Sequence, residues 1–385
     1  MNLPRTAEVV IIGGGVVGAS TAYHLVRKGA RGVVLLERET FFGMGSTFKC
    51  AGGVRAHFDT EVNIGLSRLS LPAFERFEEE TGYSVNFRKC GYLFVLTAER
   101  DLGLFRTLAE KLGRLGVRSE LWTGDDVRAR LPMMAWPDAL GALWGPDDGL
   151  ADNGALVQGY ISAGGRLGAL CLSGVEVTGL RLSGGRIEAV ETTAGTIATP
   201  KVVNAAGAWA GRVGRMAGLE IPVVPSRRQV VVTAAIAEIP ADFPFVIDYS
   251  QALYFHREGP GLMTGKSNPG QAPGFDESVD EAWELVHLVA AAARMPLLEG
   301  AGIARRWAGL YEITPDHHPI LGPVAELEGF YCNAGFSGHG FMHSPAAGLL
   351  LAEEIVDGRA RSLDISSLRL ERFGRGEFIR EAIVI

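Results

Sequence analysis

Apolar residues recur along the chain in two rhythms, short unbroken runs and helix-period stripes, and their alternation predicts an α/β core. Val9 to Ile12 is a continuous β-branched run of the kind buried on both faces of a parallel sheet, and Gly13 follows at once. Val16 to Lys28 reads as a helix closed by Gly29, and Val33 to Leu36 as the next buried strand. Residues 9–36 thus form one βαβ unit.

Beyond Asp59, the spacing of Ile64, Leu66, Leu69, Leu71 and Phe74 and the stop at Thr81-Gly82 predict a long helix, kinked or divided by Pro72. Tyr92 to Leu96 reads as a strand and Glu99 to Leu115 as an amphipathic helix ending at Gly116. A glycine-rich helix starts at Asp152. After it come the strand Gly174 to Leu180, a turn at Ser183-Gly184-Gly185 and the strand Ile187 to Thr192, a hairpin pattern. Val202 to Ala206 resumes the buried type of strand.

Residues 219–270 hold four short β-like runs, Gln229 to Thr233, Phe245 to Asp248, Leu253 to His256 and Leu262 to Gly265, which predict an antiparallel sheet apart from the first unit. Ser278 with Glu281 reads as a capping box for a helix running to Arg294. Phe330 to Asn333 and Gly340 to Asp357 return to the strand and helix types of the opening unit. The fold class expected is α/β plus antiparallel β, a Rossmann-type domain interwoven with a substrate domain. Residues 1–84, 150–218 and 305–385 fall to the nucleotide domain, and 85–149 and 219–304 to the substrate domain.

Composition narrows the function classes. Over 385 residues, 47% are hydrophobic and 21% charged, as in globular proteins, and the net charge of -7 argues against nucleic acid as a partner. Cys50, Cys90, Cys171 and Cys332 form no C-x-x-C and have no clustered His, which argues against a disulfide framework or a metal site. No apolar run approaches the roughly 20 residues that span a bilayer. Met1 to Glu8 leads directly into a strand without a secretory pattern, so a cytoplasmic location is expected.

The sharpest chemical signal is Gly13-Gly14-Gly15-Val16-Val17-Gly18, a G-x-G-x-x-G that follows a strand and opens a helix, with Glu37 19 positions after Gly18. A Cβ here would hold the backbone away from a pyrophosphate. The free amides and dipole of the helix start would stabilise that anion. Glu37 is placed to accept from a ribose hydroxyl. NAD and FAD both use such a unit; scattered small and polar stretches at Thr47 to Val54, Val203 to Trp209, Arg305 to Gly322 and Gly335 to Phe341 favour the longer FAD.

On those segments the chain resembles the amine-oxidising flavoenzymes of the D-amino-acid-oxidase superfamily, across nearly its whole length. Within it the likeness is to sarcosine oxidase, as the monomeric enzyme or the β subunit of the heterotetramer, to glycine oxidase, and above all to the β subunit of archaeal-type L-proline dehydrogenase. It rests on Gly45-Ser46-Thr47-Phe48-Lys49-Cys50 with Gly53-Val54-Arg55, on Tyr311-Glu312-Ile313-Thr314-Pro315-Asp316, and on Gly335-Phe336-Ser337-Gly338-His339-Gly340-Phe341.

The resemblance implies an FAD-dependent oxidoreductase acting on a secondary or N-methyl amino acid. Ser46, Thr47 and Lys49 would lie along the flavin, Val175 against the adenine, and Ala205, Ala206, Gly207 and Trp209 beneath the pyrophosphate, beside Arg38 and Glu37. Asp316 and the run Gly335, Phe336, Gly338, His339 and Gly340 would contact the ribityl chain and ring. Tyr254, His256 and Tyr311 would line the substrate side, though a strand histidine such as His256 can equally be structural.

Three departures qualify this picture. Gly309 stands where monomeric sarcosine oxidase attaches its flavin through Cys, so noncovalent FAD is expected. Met263 stands in place of the Lys that promotes reaction with oxygen. Met342 replaces the Lys that binds the substrate carboxylate, which leaves Arg55 as first and Arg257 as second candidate for that task, with Arg55 alternatively a partner of Asp59. The segment Asp147 to Gly159 lacks the His that carries covalent FMN in the heterotetrameric relatives, leaving room only for a noncovalent FMN at a subunit interface. A partner subunit for electron transfer, an electron-relay role without an active site, and an NAD-dependent dehydrogenase are the competing readings.

Overall fold

In a computed structural model that describes residues 3–384, the chain builds two principal sheets. The first has six strands, in the spatial order Ile320–Pro323, Phe330–Ala334, Val202–Asn204, Val9–Ile12, Val33–Glu37 and Leu170–Ser173. All its pairings are parallel except the edge pair of Ile320–Pro323 with Phe330–Ala334. Val9–Ile12 sits fully buried at its centre, as its unbroken β-branched run requires. Met1, Asn2 and Ile385, at the two ends of the expected nucleotide domain, lie outside the described residues, as does the start of the Met1 to Glu8 lead.

Helix Val16–Arg27 leaves that central strand and packs against Gly340–Asp357 and Asn153–Arg166. Close approach is possible because Gly348 faces Ser20, where a Cβ would come within 2.2 Å of the hydroxyl. The second sheet has eight strands, in the order Ile303–Ile313, Val224–Thr233, Gly261–Lys266, Leu253–Glu258, Phe245–Asp248, Tyr92–Leu96, Gly141–Gly145 and Glu120–Thr123. It is antiparallel throughout except for the parallel pair of Phe245–Asp248 with Tyr92–Leu96. A separate three-stranded ribbon holds the hairpin around Gly184-Gly185. Among the described residues no helix is long and apolar enough to cross a membrane.

Four local expectations are corrected. The strand expected from Gly174 begins only at Val177, because Gly174 turns the chain with φ at 71° and the Val175 amide donates to Glu37 O. Asp280, not Ser278, caps helix Glu281–Arg294: its carboxylate accepts from the Trp283 amide, while the Ser278 hydroxyl accepts from Arg227. Pro72 stays inside helix Glu61–Glu75, and the division falls at Arg76, before Phe77–Thr81. The start of the Arg305 to Gly322 stretch, read as loop-like, belongs to strand Ile303–Ile313, which pairs along its length with Val224–Thr233 in the larger sheet.

Candidate active site

Between the sheets lies a cavity of about 480 Å³, within the range of small-molecule sites. Its nucleotide end is built by the first βα turn. Gly13 has φ at 111° and lies so close to the neighbouring strand end that a Cβ would come within 2.3 Å of Ala205 O; at Gly18 a Cβ would sit 1.9 Å from Gly13 O. These two glycines therefore let strand, helix and strand converge. Gly15 does the opposite work, for it opens onto the cavity and only Thr47 Oγ1 would lie near its Cβ.

Helix Val16–Arg27 has no side-chain N-cap, and neither has Gly340–Asp357, whereas Gly124–Arg130, Asn153–Arg166 and Glu281–Arg294 are capped by Thr123, Asp152 and Asp280. These two starts face the cavity, so the amides left free there and the positive dipole ends are offered to an anionic ligand. Glu37 closes the rim: its carboxylate accepts from the Gly14 amide at 2.7 Å and the Glu39 amide at 2.9 Å, and burial raises its pKa. Arg38 stacks 3.9 Å over Trp209 beside it.

The one-turn helix Ser46–Lys49 forms the middle wall. Ser46 Oγ donates to Leu310 O, Thr47 Oγ1 accepts from the Val16 amide, and Asn153 holds the carbonyls of Thr47 and Cys50. Lys49 pairs with Glu277 at 2.7 Å, and its stem lies against Gly309, where a Cβ would approach Lys49 Cβ to 2.8 Å. At the far end stand Tyr254, Tyr311, Met342, Arg55 and Arg228. The Tyr254 ring lies across Gly265, and the Tyr311 ring rests on Gly338, whose φ of 98° places it there without a clash. Burial pushes the hydroxyl of Tyr254 well above the usual tyrosine range and raises that of Tyr311, so both stay protonated donors.

Arg55 is buried and fixed by the main chain: Nη1 donates to His57 O, Nη2 to Ile383 O at 2.9 Å, and the guanidinium stacks on Phe58 at 3.9 Å. It does not pair with Asp59, which is taken by Lys111. Below it, a buried hydrogen bond joins His57 Nδ1 to Asp148, whose other oxygen accepts from the Ala56 amide.

Most of the sequence-predicted residues line this one cavity: Gly13, Gly15, Val16, Val17, Glu37, Arg38, Ser46, Thr47, Lys49, Arg55, Val175, Ala205, Ala206, Gly207, Trp209, Tyr254, Gly309, Tyr311, Gly338, His339, Gly340 and Met342. The others stand behind its wall. Gly18 supports the turn. Gly335 donates its amide to Glu312 and Phe336 is core. Asp316, expected at the cofactor, is instead bound on both oxygens by the buried Arg372. His256 is buried between Arg257 O and Met263 Sδ, a structural position, and burial lowers its pKa to about 4. Arg257, the second carboxylate candidate, donates to Gly259 O and Ile239 O outside the cavity.

A cradle made of glycines, two uncapped helix starts and a rim carboxylate fits an adenine dinucleotide, and the sequence matches the FAD dependent oxidoreductase family over residues 8–354. The chain belongs to that family. Mitochondrial sarcosine dehydrogenase of Mus musculus is 34% identical over 96% of this chain, and mitochondrial dimethylglycine dehydrogenase of Homo sapiens is 31% identical over 96%. The chain spans only 42% and 44% of those two proteins. Among solved structures, L-proline dehydrogenase from P. horikoshii superposes with a TM-score of 0.92 at 33% identity, covering 98% of this chain and 100% of that one. Glycine oxidase from Geobacillus kaustophilus gives 0.85 at 27% identity, covering 96% and 99%. The family's cofactor, FAD, would be held in this chain by the Gly13–Gly15 turn, the 46–49 helix and the 340–357 helix start.

Of the lining residues that escaped sequence reasoning, two bear on the chemistry. Glu312 reaches the cavity between Gly207 and Gly340, accepts from the Gly335 amide at 3.0 Å, and is pushed by burial up to about 7. Arg228 sits on strand Val224–Thr233 with its guanidinium 5.0 Å from the Tyr311 ring. Glu312 lies inside a quoted motif, and Arg228 directly precedes the strand expected from Gln229 to Thr233. Only strand register, which the 303–313 segment did not announce, turns both toward the cavity.

Proposed function

We propose that this chain oxidises a secondary or N-methyl amino acid, of the proline or sarcosine type, with noncovalently bound FAD. The observation that carries the reading is a single cavity that runs from a dinucleotide cradle at Gly13 to a small end lined by Tyr254, Tyr311, Met342 and two arginines. FAD bound there would supply the hydride acceptor for the substrate's α C-H.

The chain's own contribution is orientation, exclusion of water and control of charge. Two guanidiniums at the small end favour an unprotonated amine, the form whose lone pair assists departure of hydride and gives the imine. His339, edge-on to Phe58, is driven by burial well below the usual histidine range and adds no charge of its own. Gly309 offers no thiol for covalent attachment and its Cα is covered by Lys49, which supports noncovalent binding.

The test is anaerobic. Acid precipitation of the purified holoprotein should leave the flavin in the supernatant. Mixing with proline or sarcosine should bleach the flavin band, and admission of air then reads reactivity with oxygen. A flavin that no amine bleaches removes the proposal and favours the electron-relay reading.

A further inference from the structure

The substrate end of the cavity needs a cation, and three of the candidates there are already engaged while a fourth lies elsewhere. Arg55 has both terminal nitrogens on main-chain carbonyls, Lys49 is paired with Glu277, Lys266 donates to Gln251 O, and Arg257 lies outside. Arg228 differs. Its Nη1 donates to Ser226 Oγ and Arg227 O, both at 2.9 Å, while Nε and Nη2 have no hydrogen-bond partner and no carboxylate pairs with it among the described residues. Its neighbour Arg227 takes the nearby acids, Asp276 and Asp280.

Strand register explains the placement. Arg228 lies opposite Gly309 and Ser226 opposite Tyr311, so the Tyr311 ring falls diagonally beside the guanidinium. Val230, on the same face as Arg228, pairs with Gly265, and Gly265 pairs with Tyr254, whose ring crosses the bare glycine toward that row. One guanidinium and two tyrosines therefore converge on a single spot. A half-buried guanidinium without an anion has lost part of its hydration and gained no counter-charge, which is the situation a carboxylate relieves.

We infer that Arg228, with the hydroxyls of Tyr254 and Tyr311, anchors the carboxylate of the substrate, so that the enzyme selects α-amino acids over the corresponding decarboxylated amines. Arg55 is then a positioning residue, which ties the 53–57 segment to the C-terminal segment. The inference rests on the amino-acid reading above, and its test separates the two.

Holoenzymes of the wild type, Arg228→Gln and Arg228→Lys are titrated with tetrahydro-2-furoate, the ring-oxygen counterpart of proline, which has no amine to oxidise; the change in flavin absorption reports binding. The same proteins are reduced anaerobically with proline and with pyrrolidine, which lacks the carboxylate. R228Q should weaken furoate binding and raise the half-saturating proline concentration about 10- to 100-fold. R228K should recover part of the loss, and R228Q should cost proline reduction far more than pyrrolidine reduction, with FAD retained. Equal losses with proline and pyrrolidine, loss of FAD, or unaltered furoate affinity would overturn the assignment. If no amine reduces the wild type, the amino-acid reading falls, while the furoate titration still decides whether Arg228 holds a carboxylate.

Discussion

Two glutamates, one at the cavity wall and one buried, respond to acid in opposite senses. For Glu312 burial dominates over the amides of Gly335 and Phe336, and its carboxyl binds its proton up to about pH 7. Its raised value means that the folded state holds the proton more tightly than the unfolded chain. The associated stability is present below the ordinary carboxyl range and is lost as pH rises to about 7. Burial would also raise Glu381, but donors from the Asp59 and Ile383 amides, Asn63 and Thr60 outweigh it and hold it low. Its contribution is present above the ordinary range and is lost as pH falls through the depressed value. Thermal melts of the apoprotein should therefore show Glu312→Gln removing a decline between pH 4.5 and 7, and Glu381→Gln removing an acid-side decline. A wild type and E312Q that melt in parallel over that interval would refute the first assignment. At the cradle, Gly18→Ala drives a methyl into Gly13 O and should abolish retention of FAD, read as the ratio of visible to ultraviolet absorbance.

Elements were legible where their local chemistry was self-contained. The opening strand, turn and helix announced themselves through a β-branched run, glycines and apolar spacing. So did Tyr92–Leu96 and Gly340–Asp357, whose observed bounds match those expected from pattern alone. Strand 303–313 was hidden because Arg305, Arg306, Trp307 and Gly309 break alternation, and its pairing with a partner some 80 residues away supplies the order that the local sequence lacks. That same misreading concealed Arg228 and Glu312. The cap of helix Glu281–Arg294 was misplaced because Ser278 and Asp280 both suit the role, and the helix starts directly after Asp280, whose carboxylate reaches the Trp283 amide. Asp280→Ala should cost about 1 kcal/mol in denaturant unfolding, whereas Ser278→Ala should leave the helix unaffected.

Across the whole molecule, the C-terminal segment ties both sheets to the site. Asp316 and Arg372, 4% and 3% exposed, bind one another. Glu381 gathers Asp59, Thr60 and Asn63, and Ile383 O and Ala382 O accept from Arg55 and Tyr249. Arg372→Met leaves a buried carboxylate without its cation and should destabilise the fold by about 3–5 kcal/mol, measured by chemical denaturation. Removal of residues 379–385 takes away the acceptor of Arg55 Nη2 and the acidic clasp, and should lower the melting temperature of the holoprotein.

The cofactor groove is lined by residues as far apart in sequence as Ile12 and Met342. During synthesis the strand Phe330–Ala334 and the helix start at Gly340 follow the glycine turn by more than 300 residues. Nascent chains stalled before that point should be colourless whatever the supply of flavin, because cofactor uptake has to wait for the 330–342 stretch to emerge.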